Sequence, residues 1–103
     1  MKTKRHLPLK KAMEARLRDA EFRFYFEESR AISELCSAVV RARQARGVTQ
    51  AQLAKEADTT QSVIARLEGG NNGRMPSLDL LNRIAGALRM SLVVGFEERK
   101  KAA

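Results

Sequence analysis

Cysteine, histidine and tryptophan are nearly absent from this sequence of 103 residues, which has one cysteine, one histidine and no tryptophan. Cys36 therefore has no partner for an internal disulfide, and with His6 alone it cannot supply a zinc ligand set. The sequence also lacks a glycine-rich phosphate loop and a nucleophile–base grouping. From these absences we expect that the protein binds no metal and no cofactor and is not an enzyme. Because Cys36 lies among Ile32, Leu35 and Val39, we expect a buried core thiol.

Long apolar runs are missing as well. No stretch approaches the ~20 apolar residues of a membrane span. The basic start MKTKRHLPLKK is not followed by the apolar segment of a signal peptide. We therefore expect a cytoplasmic protein that has no membrane partner. A chain of 103 residues with two prolines and six glycines is expected to form one modest core with an appendage and no linker.

Positive charge is abundant. The 20 Lys and Arg against 12 Asp and Glu give a formal net charge of +8 and a pI near 10.4. This balance favours a polyanionic partner over an acidic protein or a membrane. Many basic proteins carry only solvated basic faces, so a motif is needed to identify a nucleic-acid-binding protein.

Helical spacing of apolar residues runs through most of the chain. One short helix is predicted around Leu9, Met13 and Leu17, and a second begins at Asp19, a predicted N-cap. A third apolar stripe starts at Ile32 and ends at Gly47, where a left-handed cap is expected. The last helix is predicted to bury a stripe that excludes Leu80, a candidate dimer contact. That stripe consists of Leu78, Leu81, Ile84, Ala85 and Leu88.

The segment SLVVGFE near the C-terminus is too short for a helix, and its β-branched and aromatic residues favour a strand. A single strand needs a partner, which would be a second copy of the chain or another protein's sheet edge. The predicted fold is thus all-α with one short C-terminal β-strand. We divide it into an N-terminal helical extension (1–31), a helical domain that includes the terminal strand (32–96) and a disordered tail (97–103).

Two Thr-Gln pairs, eleven residues apart, begin the two halves of TQAQLAKEADTTQSVIARLEGG. Thr49 is predicted to cap a first short helix, with Gln52 completing a capping box. The turn-forming DTT at 58–60 ends that helix, and Thr60 begins another. Two short helices joined by a tight turn have the layout of a helix-turn-helix, whose second helix enters the major groove of double-stranded DNA.

Residues 32–89 resemble the helix-turn-helix domain of the lambda-repressor-like, or XRE, transcriptional regulators. The resemblance rests on RARQARGVTQAQLA, TTQSVIARLEGG and PSLDLLNRIAGAL. It implies that Gln50 holds a phosphate and that Arg43 pairs with Glu68, although a solvent-exposed Glu68 is an equal alternative on sequence alone. Asp58 stands where the family usually has glycine, and Asp tolerates the left-handed backbone expected there.

The candidate DNA contacts follow from this layout and resemblance: Gln50, Thr60, Gln61, Ser62, Ala65, Arg66, Asn71, Asn72 and Arg74. Gln61, Ser62 and Arg66 would form the recognition set, and Arg66 can donate two hydrogen bonds to guanine or hold a phosphate. Gln61 and Ser62 have an alternative as ordinary helix-start residues, and the asparagine loop as a solvated turn.

Four of the five aromatic residues lie between positions 22 and 26. Either Phe22, Tyr25 and Phe26 cap the domain core while Phe24 is exposed, or part of the group forms an exposed patch for another protein. With the short first helix, the Asp-Ala-Glu-Phe break and the terminal LVVGF, they make the whole chain resemble antitoxins of the HigA type. That resemblance implies a RelE-like ribonuclease toxin as partner and repression of the chain's own operon. The candidate toxin contacts are Leu9, Met13, Leu17, Phe22, Phe24, Tyr25 and Phe26.

The sequence therefore predicts a homodimeric repressor that binds a palindromic operator and neutralises a toxin. A stand-alone XRE-type repressor without a toxin is the alternative. RNA binding by base stacking would need aromatic residues interleaved with basic ones; Arg23 and Arg30 accompany the aromatic residues here, but that pattern is short.

Overall fold

The computed structural model describes residues 9–16 and 19–98. Five α-helices occur in this part of the chain: α1 (Leu9–Arg16), α2 (Ala20–Arg46), α3 (Gln50–Glu56), α4 (Gln61–Glu68) and α5 (Leu78–Ala87). A 3₁₀ turn (Asn71–Gly73) connects α4 to α5. Among the described residues, no helix is both long enough and apolar enough to span a bilayer.

Helix α2 is one continuous helix of 27 residues, whereas the sequence suggested two. Asp19 caps its start by accepting a hydrogen bond from the Phe22 amide (3.0 Å), and Gly47 ends it with φ of 70°. The prediction of a break was wrong because the segment between the two apolar stripes, Glu27–Ala31, contains no glycine or proline and consists of residues that a helix accepts. The helix runs across the expected boundary at 31/32 without a linker.

The core lies between the C-terminal half of α2 and the three following helices. Its buried residues are Ile32, Cys36, Val39, Leu53, Ala54, Ala57, Ile64, Leu67, Leu81, Ile84 and Leu88. In the described part of the chain, the residues that pack in or against this core begin at Ile32. The first three turns of α2 therefore extend beyond the core.

The register of α5 differs from the prediction at its first turn. Leu78 is 61% exposed, while Leu80 is half-buried and packs against the core. Ser77 caps α5 by accepting from the Leu80 amide (3.1 Å), so Leu78 is the first residue of the helix, and it does not pack against the core. Leu80 precedes Ile84 by four residues and shares its face.

The predicted C-terminal strand is not seen among residues 9–16 and 19–98. Residues 90–98 follow α5 without helix or strand. Leu92 packs against the core, but Val93 (87% exposed), Val94 and Phe96 project into solvent. A strand is defined by hydrogen bonds to a neighbouring strand, and the described part of this chain supplies none.

Candidate nucleic-acid interface

Each Thr-Gln pair begins a helix. Thr49 accepts from the Gln52 amide (3.0 Å), and the Gln52 side chain accepts from the Thr49 amide (2.8 Å), which completes a capping box. Thr60 accepts from the Val63 amide (3.2 Å). These caps satisfy backbone donors that a helix start leaves unpaired, and they fix where α3 and α4 begin.

The turn between α3 and α4 is tight. Asp58 adopts the left-handed conformation, with φ of 57°. The Thr59 amide donates to the Ala54 carbonyl (2.9 Å), and Ala57 is buried at the centre of the turn. Aspartate therefore occupies the position at which glycine is usual in the family that the sequence resembles.

Helix α4 has one buried face and one outer face. Ile64 and Leu67 have no exposed surface. The outer face carries exposed side chains that the sequence singled out as DNA contacts: Thr60 at the cap, then Gln61, Ser62, Ala65 and Arg66. The helix thus holds a row of polar and small residues at its surface while it is anchored by its aliphatic residues.

The loop after α4 has an unusual backbone. Gly70, Asn71, Asn72 and Gly73 all have positive φ, between 53° and 104°. The Asn71 amide side chain donates to the Arg74 carbonyl (2.7 Å) and closes the loop on itself. Together with Arg66 of α4, Asn71, Asn72 and Arg74 line an open polar cavity of ≈ 460 Å³.

Arg43 and Glu68 connect α2 to the end of α4. Arg43 donates from Nε (2.6 Å) and Nη2 (3.0 Å) to the two carboxylate oxygens, and from Nη1 to the Val48 carbonyl (2.8 Å). Gln50 adds a third hydrogen bond to the carboxylate, from Nε2 (3.0 Å). The Glu68 side chain is only 7% exposed and that of Arg43 15%. Glu68 is therefore not a solvent-exposed charge.

This network shifts the pKa values of both Glu68 and Arg43. Burial raises the pKa of Glu68, but the hydrogen bonds from Arg43 and Gln50 outweigh it and bring the pKa below its ordinary value. The hydrogen bond to Glu68 raises the pKa of Arg43 against the opposing effect of burial. Both shifts favour the charged pair, so its contribution to stability is present at neutral pH.

One residue of this region escaped the sequence analysis. Arg83 of α5 donates from Nη1 to the carbonyls of Ala57 (2.8 Å) and Asp58 (2.6 Å), and from Nε to Asp79 (3.1 Å). The Asp79–Arg83 spacing indicates a helical ion pair. No sequence signal indicates the two carbonyl contacts, because they join residues 25 and 26 positions apart.

The N-terminal candidates lie away from these residues. Phe24 (54% exposed) and Tyr25 (56%) have an edge-to-face ring contact at 5.7 Å. Phe22 and Phe26 are half-buried against each other, with ring centroids 6.2 Å apart, and the Arg16 guanidinium lies 4.3 Å from the centre of the Phe22 ring. None of these four residues is part of the core or packs against it, so the suggestion that Phe22, Tyr25 and Phe26 cap the core was wrong.

Three further expectations concern the rest of the chain. Met13 of α1 is half-buried, Leu9 begins α1, and Leu17 lies outside the described residues. Cys36 is buried, and burial raises the pKa of its thiol. Within residues 9–16 and 19–98, no three His, Cys, Asp or Glu side chains are grouped as metal ligands would be.

Comparison with known proteins identifies the family. A family model described as "Helix-turn-helix" matches residues 39–94, more than half of the chain and all of α3, α4 and α5. No curated protein and no solved structure matches the chain significantly. This match agrees with the geometry, in which two short capped helices are joined by a tight turn that contains a left-handed residue. The chain belongs to the XRE-like helix-turn-helix family and is a DNA-binding transcription regulator.

Proposed function

We propose that this chain is a sequence-specific repressor that binds a palindromic operator as a homodimer, and that it is also the antitoxin of a RelE-like ribonuclease toxin whose operon it represses. The observation that carries the first part is the outer face of α4, where Gln61, Ser62, Ala65 and Arg66 are all exposed. The proposal assigns the chain no catalytic role.

In this proposal, α4 is the recognition helix. Its first residues follow the Thr60 cap, and in helix-turn-helix proteins this end of the second helix meets base edges. Gln61 and Ser62 offer hydrogen-bonding groups to those edges, and the small Ala65 permits close approach. Arg66 reads guanine through its two parallel donors, or else it holds a phosphate in the polar cavity that it shares with Arg74.

Phosphate contacts lie on both sides of α4. Gln50 is the first residue of α3, and one N–H of its side-chain amide is bonded to Glu68, which orients the group. An amide nitrogen carries two N–H donors, so the second one serves a phosphate. Asn72 and Arg74 supply donors from the loop on the other side. Contacts of this kind position the protein on the duplex without specifying sequence.

The homodimer is proposed to form through the C-terminal segment. Val93, Val94 and Phe96 are exposed, and the segment borders an apolar groove between α2 and α5. The groove is lined almost entirely by aliphatic side chains, among them Leu35, Ala42, Leu81, Leu88 and Leu92. A chain with a net charge of +8 repels its own copy, so an uncharged surface is where two copies can meet. Pairing of residues 91–96 across the dimer would supply the missing partner strand.

The antitoxin role rests on the projecting start of α2. Exposed aromatic side chains are frequent anchors in protein interfaces. Glu21 and Glu28 are exposed on α2 three or four positions from Phe24 and Tyr25, which is one turn of the helix. A ribonuclease toxin is expected to be basic because it binds RNA, and these carboxylates suit such a partner.

Paired substitutions test the antitoxin role in the full chain. Replacing Phe24 and Tyr25 together by serine should abolish rescue of growth against the neighbouring toxin and leave operator binding intact. Replacing Met75 and Leu78 by serine is the matched control, since these residues are equally exposed and lie far along the chain. Full rescue by the Phe24/Tyr25 variant would place the toxin surface elsewhere, with Val93 to Phe96 next in line.

A stand-alone repressor is the second candidate. The family match covers only the DNA-binding part of the chain, and a repressor without a toxin needs nothing more. The neighbouring reading frame separates the two possibilities. A small basic ribonuclease-like protein encoded beside this chain favours the antitoxin, and its absence favours the stand-alone repressor.

A further inference from the structure

The side chain of Arg83 connects α5 to the turn between the two DNA-binding helices. Its Nη1 donates to the Ala57 carbonyl (2.8 Å) and to the Asp58 carbonyl (2.6 Å). On the opposite edge, its Nε donates to Asp79 (3.1 Å), which precedes it by one turn of α5. The guanidinium is thus held between its own helix and the turn.

The Ala57 carbonyl needs such a partner, whereas the Asp58 carbonyl lies at the exposed side of the turn. The last carbonyls of a helix have no N–H of the same helix to accept from, and they must find donors elsewhere. Ala57 is the C-cap of α3 and is 1% exposed, so water has little access to it. A cation at this end also complements the negative end of the α3 dipole.

The same turn carries backbone strain. Asp58 has φ of 57°, a conformation that disfavours residues with a Cβ atom, although aspartate tolerates it better than most. A turn without Arg83 would therefore gain freedom to relax. Because α4 begins at Gln61, only Thr59 and Thr60 separate α4 from the residue under strain.

We propose that Arg83 is a positioning residue for DNA reading: by bonding the Ala57 and Asp58 carbonyls it fixes the angle at which α4 leaves α3. The inference rests on the proposed role of α4 as the recognition helix. Arg83 touches no base in this account. It sets how the outer face of α4 meets the groove, and its loss lowers the preference for the operator more than it lowers general affinity for DNA.

The experiment compares Arg83→Lys with the wild-type chain. Lysine keeps the charge, and so the general attraction to DNA, but its compact ammonium does not reproduce the planar fork that bonds Asp79 and two carbonyls together. Two quantities are measured: the ratio of affinities for operator and random duplex, and the amide exchange rate of Thr59, whose N–H bonds the Ala54 carbonyl at 2.9 Å. We expect a roughly tenfold lower ratio and faster Thr59 exchange, with α2 amides unchanged.

Two further variants separate positioning from general stability. Asp79→Asn removes the charge of a partner whose side chain is 79% exposed and leaves both carbonyl bonds in place, so it should keep the wild-type ratio. Asp58→Gly added to Arg83→Lys removes the strain at φ of 57° and should restore the ratio to within about twofold. A purely structural loss would instead speed exchange throughout the domain.

The outcomes are distinct. Wild-type exchange at Thr59 in Arg83→Lys, or faster exchange with an unchanged affinity ratio, would overturn the inference alone. A wild-type chain that shows no preference for any operator would overturn the proposed recognition role of α4 and this inference with it.

Discussion

Substitution of Glu68 by glutamine tests the ion pair that joins α2 to the end of α4. The carboxylate accepts three hydrogen bonds, at 2.6 Å and 3.0 Å from Arg43 and at 3.0 Å from Gln50. Glutamine keeps the size of the side chain but retains only one oxygen. Its NH₂ group would then face the N–H groups of Arg43 or Gln50, which are donors as well.

The magnitude follows from burial. Removing one partner of a buried ion pair costs about 3–5 kcal/mol, because the other charge is left without compensation. The Arg43 side chain is 15% exposed and keeps its bond to the Val48 carbonyl, and both features moderate the loss of stability. We therefore expect Glu68→Gln to lower the free energy of unfolding by about 2–4 kcal/mol at neutral pH. This is a large part of the roughly 5–15 kcal/mol typical of a domain.

Urea unfolding followed by helical circular dichroism measures this loss. If the free energy of unfolding falls by ~1 kcal/mol per molar urea, the urea concentration at the midpoint of unfolding should fall by about 2 M or more, while the slope stays unchanged. Glu34→Gln is the control, because its pair with Arg30 is long (3.8 Å) and both side chains are mostly exposed. Arg43→Met combined with Glu68→Leu should be less destabilised than the sum of its single variants. A Glu68→Gln midpoint equal to that of Glu34→Gln would refute this reasoning.

Three other measurements address the pH dependence, the DNA contacts and the dimer. The pKa of Glu68 lies below its ordinary value of 4.5, so its contribution to stability is present above pH 4.5 and is lost as the pH falls through the lower folded-state pKa. When the free energy of unfolding is measured at decreasing pH, the wild type should show this loss and Glu68→Gln should not. Arg66→Ala should weaken operator binding by ~1–3 kcal/mol and relax the base preference at one position of each half-site, whereas Gln50→Ala should weaken binding to all sequences nearly alike. Competition against a library of operator variants distinguishes these two effects. An unchanged base preference in Arg66→Ala would make that residue a phosphate contact. Val94→Glu should shift sedimentation from dimer to monomer, because it places a charge in the proposed apolar contact, and a variant that stays dimeric would locate the dimer interface elsewhere.

The helix starts were readable from the sequence because capping is a local interaction. Thr49, Gln52 and Thr60 make their hydrogen bonds within three residues, so their spacing alone indicates the geometry. The same holds for Gly47, whose left-handed conformation ends α2. The helix-turn-helix layout could be predicted from these local signals together with the aliphatic spacing of α4.

The features that the sequence analysis missed, and the strand that is still unconfirmed, depend on what a segment packs against. The continuity of α2 was missed because a gap in an apolar stripe was interpreted as a gap in the helix, although Glu27–Ala31 merely lies where no core exists. Residues 91–96 have strand-forming side chains, but a strand depends on a partner that the described part of this chain does not provide. Arg83 was missed for a related reason, since its contacts join distant positions.

Footprinting of the full chain on its own promoter tests whether α4 reads DNA from a two-fold dimer. We expect two protected half-sites in a palindrome, with centres about one helical turn (~34 Å) apart, and loss of that protection in Arg66→Ala at concentrations where the wild type is fully bound. Protection of one asymmetric half-site by a monomer, or an identical footprint from Arg66→Ala, would contradict it.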